Sequence, residues 1–413
     1  MKETMDTHIF ELPNGLRIVY KFVPYTRAVH CGFVINSGSR DDRAEEIGMA
    51  HFIEHMIFKG TTKRKTFHIL NYLESVGGDV NAYTTKEKTC LYASMVAEYF
   101  ERATELLTDI TFHSTFPEKE IVKEKQIIAE EIDMYRNAPD EAIFEDFDEM
   151  IFPQHSLGHP ILGTKDSINT FTQKGVINHL GSTFISGQVV FSIVGNVKLQ
   201  EVKKVIDKYL RPLQLPTGSL LRTQPTIPQS ANREVPIVTD QAHEIIGGRA
   251  YAFNKGLYYP FLVLNNLLGG PAMNSRLNLN IREKHGLTYN ISAFYSPYLD
   301  SGMWGIYYAC ETGNLNRIRK LVHQELKSLY ESPLGAVRLS QAKKQLVGQM
   351  TLGFENLLNQ MLGQAKDLLD FGEVSSFNQY IADIEAVTAK EIQQASEELF
   401  FQSPLSTITY KTA

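Results

Sequence analysis

The stretch GMAHFIEHMIFKGT places His51, Glu54 and His55 inside an otherwise apolar helical pattern. On an α-helix each residue advances about 100°, so His55 lies about 40° from His51 and Glu54 about 60° to the other side. All three side chains share one face. Two imidazoles one turn apart can reach a single divalent cation, with the carboxylate between them held beside it. The bland alternative, two core histidines next to a surface glutamate, accounts for isolated histidines better than for this triplet. A catalytic zinc site takes three protein donors and leaves one position open, so a third donor is expected on another element. The run KEIVKEKQIIAEEIDMYRN offers Glu124, Glu130 and Glu131. Glu124 and Glu131 are two turns apart and face the same way, with Ile127 and Ile128 beside them on the apolar stripe, whereas Glu130 points into solvent. Taken alone, this segment reads as a charged, exposed helix.

The elements that must hold these residues repeat within the chain. The first half runs from strands (GLRIVYKF, VHCGFVIN) to the His-bearing helix, then strands across GGDVNAYTTKEKTCLYASMV, a helix at YFERATELLTDITF and, after a proline, the long acidic helix. The second half repeats that order: HEIIGGRAYAF, FLVLNNLLGG, GLTYNISAFYSPYLDSGMWGIYYAC, NRIRKLVHQELKSLYE and, after another proline, LGAVRLSQAKKQLVGQM. Where the first copy carries His-x-x-Glu-His, the second carries NNLLGGPAMNS, without metal donors. The expected class is α+β: two homologous α/β-roll domains in tandem, each a largely antiparallel sheet packed with helices. Residues 1–212 form the metal-bearing domain, 213–235 a Pro-, Ser- and Thr-rich linker, and 236–413 the second copy.

Composition narrows the partners. The 413 residues suit two domains of about 200 residues each. The net charge of −6 supplies no basic footprint for nucleic acid and no polybasic patch for anionic membranes. No run approaches the roughly 18 apolar residues of a membrane span. The start reads as a strand and not a signal peptide. Three scattered cysteines, Cys31, Cys90 and Cys310, argue against a disulfide framework and fit a reducing, cytoplasmic compartment. Cys90 has no evident base partner, and His155 and His159 sit in a loop without a carboxylate pair, so neither suggests a second site.

The H-x-x-E-H order inverts the commoner H-E-x-x-H zinc motif. With Glu131 76 positions after His55, and with LPNGLRIV, GSRDDRAEEIGMAHFIEHMIFKGT, GGDVNAYTTKEKTCLY and NIREKHGLTYNISAFY, the chain resembles the pitrilysin and mitochondrial processing peptidase family, which includes insulin-degrading enzyme. Its length matches the half-size members.

The resemblance implies a zinc metalloendopeptidase, with one Zn²⁺ per catalytic domain held by His51, His55 and Glu131. Glu54 would be the general base and Glu124 the carboxylate that orients a ligand imidazole. It implies that an extended peptide adds to the strand containing Asn81, Ala82 and Tyr83, and that Arg282 and Tyr289 bind the substrate carbonyl. Without the family, Arg282 reads as a surface cation and Tyr289 as a half-buried strand aromatic. Gly269 and Gly270 resemble a substrate loop. The half-size members pair two chains, so a homodimer is expected in which the partner supplies Arg282 and Tyr289. The competing expectation is a non-catalytic peptide-binding module or structural partner subunit of a heteromeric peptidase.

Overall fold

A computed structural model describes residues 7–227 and 229–412. Two sheets organise the chain. The first contains β1 (Thr7–Glu11), β2 (Arg17–Phe22), β3 (Ala28–Ile35), β4 (Asp79–Thr84), β5 (Thr89–Val96) and β6 (Val189–Gly195), in the spatial order β1-β2-β6-β3-β5-β4. The second contains β7 (Asn232–Pro236), β8 (Ala242–Ala250), β9 (Asn290–Pro297), β10 (Gly302–Cys310) and β11 (Ser406–Lys411), in the order β7-β11-β8-β10-β9. Pairing is antiparallel except for β2 with β6 and β7 with β11. Apart from the extra β1, the two orders and the position of the parallel pair coincide. The repeat read in the sequence is therefore a repeat of topology.

Burial explains the strand sequences. β6 (VVFSIVG) and β10 (GMWGIYYAC) are buried at every position because helices cover both faces of each sheet, so they read as continuous apolar runs instead of alternating ones. One face of the first sheet meets the helices Met49–Met56, Phe100–Phe112 and Leu199–Tyr209 in the larger core. Its other face is covered by the helix Leu357–Phe371, through Ala365 and Leu368 against Val19, Val34, Cys90 and Val190. The second sheet packs on one face against Tyr258–Gly269 and Leu315–Glu331, and on the other against Pro139–Ile151.

The chain accordingly divides into two discontinuous units. One comprises residues 1–132, 159–222 and 353–375, the other 133–158, 223–352 and 376–413. This differs from the tandem boundaries 1–212, 213–235 and 236–413, because each half of the sequence contributes one helix to the opposite unit. An amphipathic pattern announces that a helix will bury a face, but not which sheet will receive it. The segment expected as a linker is also more ordered than its composition suggests: Asn232–Pro236 is strand β7, paired with β11. Among the described residues no helix is long and apolar enough to cross a membrane.

Candidate metal centre

The helix Met49–Met56 is anchored by Met49, Phe52, Ile53 and Met56, all buried, which fixes the direction in which its polar residues point. It starts at Gly48, whose φ of 94° is left-handed and whose position against Leu162 and Gly163 leaves no room for a β-carbon. The first backbone donors of the helix are capped from a distance. Gly48 N–H and Ala50 N–H donate to the Asp42 carboxylate, at 2.8 and 3.0 Å. Burial, opposed by these bonds and by His179, pushes Asp42 up to about 7. His179, itself buried, lies 3.8 Å from Asp42 and 3.7 Å from Glu46.

The carboxylate expected as a third donor lies on the helix Glu118–Arg136. Ile121, Glu124 and Ile128 form its buried stripe and Glu131 continues that face, while Glu130 is exposed as expected. Ile127, expected on the stripe, is instead 46% exposed, because the stripe at this point is only one residue wide.

Donor atoms of His51, His55 and Glu131 all lie within 4.8 Å of one another, and among the described residues no other group of three His, Cys, Asp or Glu side chains converges in this way. Glu131 places one oxygen 4.0 Å from His51 Nε2 and the other 3.6 Å from His55 Nε2. The His55 and Glu131 side chains are 24% and 25% exposed, so the cluster opens to solvent on one side, whereas Glu124 behind it is only 3% exposed. Glu124 Oε1 lies 2.8 Å from His55 Nδ1, and its other oxygen pairs with Lys59 Nζ at 2.7 Å. His51 Nδ1 is buried without a hydrogen-bond partner. The two imidazoles therefore differ: one is oriented by a carboxylate, the other by packing alone.

Electrostatics favour cation binding. Burial, reinforced by neighbouring His55, lowers His51 to about 3, so its ring is neutral and able to donate a lone pair near neutral pH. Burial alone would lower His55 as well, but the Glu124 bond and the charges of Glu131, Glu124 and Glu54 raise it overall. Burial would raise Glu124, yet its bonds to His55 and Lys59 hold it below the ordinary carboxylate range. Burial raises Glu54, against the opposing bond from Thr84, whose hydroxyl donates to Glu54 Oε2 at 2.5 Å. Two imidazoles and one carboxylate, with an open side and a carboxylate behind one ring, match the donor set of catalytic zinc.

Asn81, Ala82 and Tyr83 lie on β4, which ends the first sheet; among the described residues no strand pairs with its outer side. Side chains alternate along it. Val80 and Ala82 face the core that includes the donor helix, and Tyr83 faces the opposite core beneath Leu357–Phe371. Asn81 is exposed, and its Oδ1 accepts from Ala82 N–H at 3.0 Å.

In the second unit, Arg282 sits at the end of the π-helical segment Asn278–Glu283 and donates to Asn278 Oδ1 at 3.2 Å. Tyr289 precedes β9 and is 86% exposed, not the half-buried strand aromatic that its sequence alone suggests. Gly269 and Gly270 have a packing explanation: a β-carbon on either would collide with Ala293 or Asn266. His155 accepts from Leu157 N–H within its own loop, and its Nε2 lies 3.0 Å from Thr223 O. Cys31, Cys90 and Cys310 are free and buried, and burial raises each thiol.

Several supporting residues escaped the sequence reading. Lys59 and Thr84 bond directly to the carboxylates of the site. Arg40 pairs with Glu87 at 2.6 Å in the β4–β5 turn. Arg222, from the supposed linker, clamps Asp41 at 2.7 Å and donates to Glu87 O at 3.0 Å. The available signal was the dense charge in GSRDDRAEE and TTKEKT beside apolar elements.

Comparison with known proteins extends these observations. Residues 17–165 match the family described as Insulinase (Peptidase family M16), and residues 182–346 match the description Peptidase M16 inactive domain. The chain is 32% identical over 398 residues to the uncharacterized zinc protease YmxG of Bacillus subtilis, covering 94% of each chain. It is 31% identical over 410 residues to an uncharacterized zinc protease of Rickettsia bellii, covering 99% of this chain and 98% of that one. Two solved structures share its fold. One, described as a peptidase M16 inactive domain from Pseudomonas fluorescens, has a TM-score of 0.91 at 16% identity and covers 99% of this chain and 98% of that one. The other, a protease from Helicobacter pylori, has a TM-score of 0.90 at 19% identity, with coverage of 98% and 99%.

Proposed function

The chain belongs to the insulinase-like peptidase family M16, and on that premise we propose that it is a zinc metalloendopeptidase that cuts unfolded or extended peptides. The convergence of His51, His55 and Glu131, with Glu54 beside them, carries this reading. Relatives named zinc proteases support the metal. Zinc, when bound, supplies Lewis acidity for a peptide carbonyl and for water at neutral pH. Glu54 takes the proton of the attacking water and returns it to the leaving amine. Glu124, fixed by Lys59, orients the His55 ring. An extended substrate adds its backbone to the open side of β4 at Asn81, Ala82 and Tyr83, so folded proteins without loose segments are poor substrates. The glycine pair Gly269 and Gly270 is part of the same proposal as a substrate loop.

Assembly belongs to the reading. Among the described residues each chain carries one donor set and one Arg282/Tyr289 pair, and Tyr289 presents its ring to solvent. In a two-fold homodimer, two equivalent sites each combine His51, Glu54, His55 and Glu131 of one chain with Arg282 and Tyr289 of the other. Arg282 and Tyr289 stabilise the carbonyl oxygen as it gains charge. Three buried free thiols fit residence in the reducing cytoplasm.

The test is zinc content measured alongside cleavage of a quenched, unstructured peptide. Stoichiometric zinc with cleavage supports the proposal; stoichiometric zinc with no cleavage favours the non-catalytic peptide-binding or structural subunit. Mixing inactive Glu54→Gln chains with inactive Arg282→Ala chains restores activity if sites are shared, because a mixed dimer contains one intact set. Exchange of chains without recovered activity overturns the shared site.

A further inference from the structure

We propose that Thr84 is a positioning residue that fixes the Glu54 carboxylate and ties it to the substrate strand. This rests on the peptidase reading given above, and it adds a residue and a connection that the metal motif does not contain.

The geometry is specific. Thr84 is the last residue of β4, and its pleat position points it, like Val80 and Ala82, toward the core that includes the donor helix. Its hydroxyl donates to Glu54 Oε2 at 2.5 Å, the short length of a charge-assisted O–H···O⁻ bond. The hydroxyl holds Oε2, and the backbone N–H of the same residue also faces the Glu54 carboxylate. A glutamate has three side-chain torsions, and with the backbone N–H alone the carboxylate is free to swing about that one contact, into orientations that do not point at the attacking water.

The strand end that carries Thr84 is itself immobilised. The turn Thr85–Lys88 buries Lys86, Glu87 and Lys88, three charged side chains that a hairpin tip ordinarily exposes. Arg40 grips the Glu87 carboxylate, Arg222 grips the Glu87 carbonyl and Asp41, and Lys86 Nζ donates to His159 O at 2.7 Å. Thr85 O also accepts from Ser39 N–H, at 3.1 Å. This tip is anchored to the segment 38–42, whose Asp42 caps the donor helix. The base, the helix that bears it and the end of the substrate strand thus belong to one buried polar framework. A peptide that adds along β4 is registered against the same strand that aims Glu54.

The experiment compares Thr84→Val, which keeps the shape and removes the hydroxyl, with Thr84→Ser, which keeps the hydroxyl. Zinc content, thermal midpoint, kcat and KM are read on an unstructured peptide. The expected result for Thr84→Val is a loss of kcat of about 10- to 100-fold with KM, zinc stoichiometry and thermal midpoint unchanged, and recovery of most of kcat in Thr84→Ser. Because Thr84 acts through Glu54, adding Thr84→Val to Glu54→Gln lowers the residual rate no further. Undiminished kcat in Thr84→Val, a rise in KM alone, failure of Thr84→Ser to recover, or multiplicative losses in the double variant each overturn the proposal. Should valine disturb the strand, Thr84→Ser and Thr84→Ala decide it: wild-type-like kcat in Thr84→Ser with the loss of kcat kept in Thr84→Ala supports it, and equal kcat in the two overturns it. Zinc-loaded wild type that cuts no peptide would refute the peptidase reading instead.

Discussion

The two sheets share the order β2-β6-β3-β5-β4 and β7-β11-β8-β10-β9, yet one cluster of buried polar groups in each is handled in opposite ways. In the second unit Glu244 is fully buried and every donor it needs is present: Arg319 approaches both oxygens, Tyr308 donates to one and Thr409 to the other. Nothing is left over. In the first unit, the imidazole and carboxylate atoms at the end of the donor helix point at one another across 3.6 and 4.0 Å, too far for hydrogen bonds, and one side is open. A satisfied cluster holds a fold together; a cluster with lone pairs in reserve can hold an ion. One topology serves both purposes, so the difference lies in side chains and not in architecture.

The sharpest way to break this comparison is to remove chemistry from the first unit alone. Glu54→Gln should lower kcat by about 10²- to 10⁴-fold while zinc stoichiometry stays intact, because the amide preserves shape and does not touch the donor atoms. His51→Ala should instead lose the metal and turnover together. Full zinc and full activity in His51→Ala would remove the distinction between the units.

Next in size is a change confined to the second unit. Arg319→Ala leaves Glu244 buried with only hydroxyl partners, and should cost about 3 kcal/mol of stability without altering zinc affinity. Chemical denaturation and metal titration of the same protein separate the two effects. Loss of zinc at a temperature where the variant remains folded would show that the second unit's polar core serves the site.

A smaller effect is expected behind the two imidazoles. Glu124→Gln replaces a charged acceptor at His55 Nδ1 and frees Lys59, and should weaken zinc binding by about 10- to 100-fold. His51 has no comparable partner to lose. Competition with a chelator of known affinity measures the shift, and unchanged affinity would mean that packing orients both rings.

How much of this was legible follows from sequence distance. His51, Glu54 and His55 share one helical turn, and Glu124 and Glu131 share one helix face, so periodicity alone could group them. Thr84 reaches Glu54 across 30 positions, and Arg222 reaches Asp41 across 181. Such partners leave no local period. The repeat was legible because both copies preserve the order of strands and helices. The placement of Pro139–Ile151 and Leu357–Phe371 in opposite units was not, since an apolar face does not encode its destination. The supposed linker misled for a related reason: Pro, Ser and Thr signal the absence of helix, not the absence of contacts, and Arg222 makes its contacts through the side chain.

The smallest effect concerns how the two equivalent helices begin. Tyr258–Gly269 starts at Leu257 with no side-chain cap, whereas Met49–Met56 draws on Asp42, buried against His179 and Glu46. Burial pushes Asp42 up to about 7, above the roughly 3.9 of an unfolded aspartate. The folded chain therefore binds this proton more tightly than the unfolded chain does. The stability contributed by Asp42 is fully present below about 4 and is lost as pH rises through about 7. Asp42→Asn cannot titrate and can accept at only one of the two backbone donors, a loss of about 1 kcal/mol. Groups that do not face Asp42 titrate equally in both proteins and cancel in the difference. Below about pH 4 the metal-free variant should therefore melt below metal-free wild type by on the order of 2 °C, with the gap closing and then reversing as pH rises toward 8. A gap that widens with pH would mean that Asp42 caps the helix as a stabilised carboxylate, and that the donor helix is held by charge and not by a shared proton.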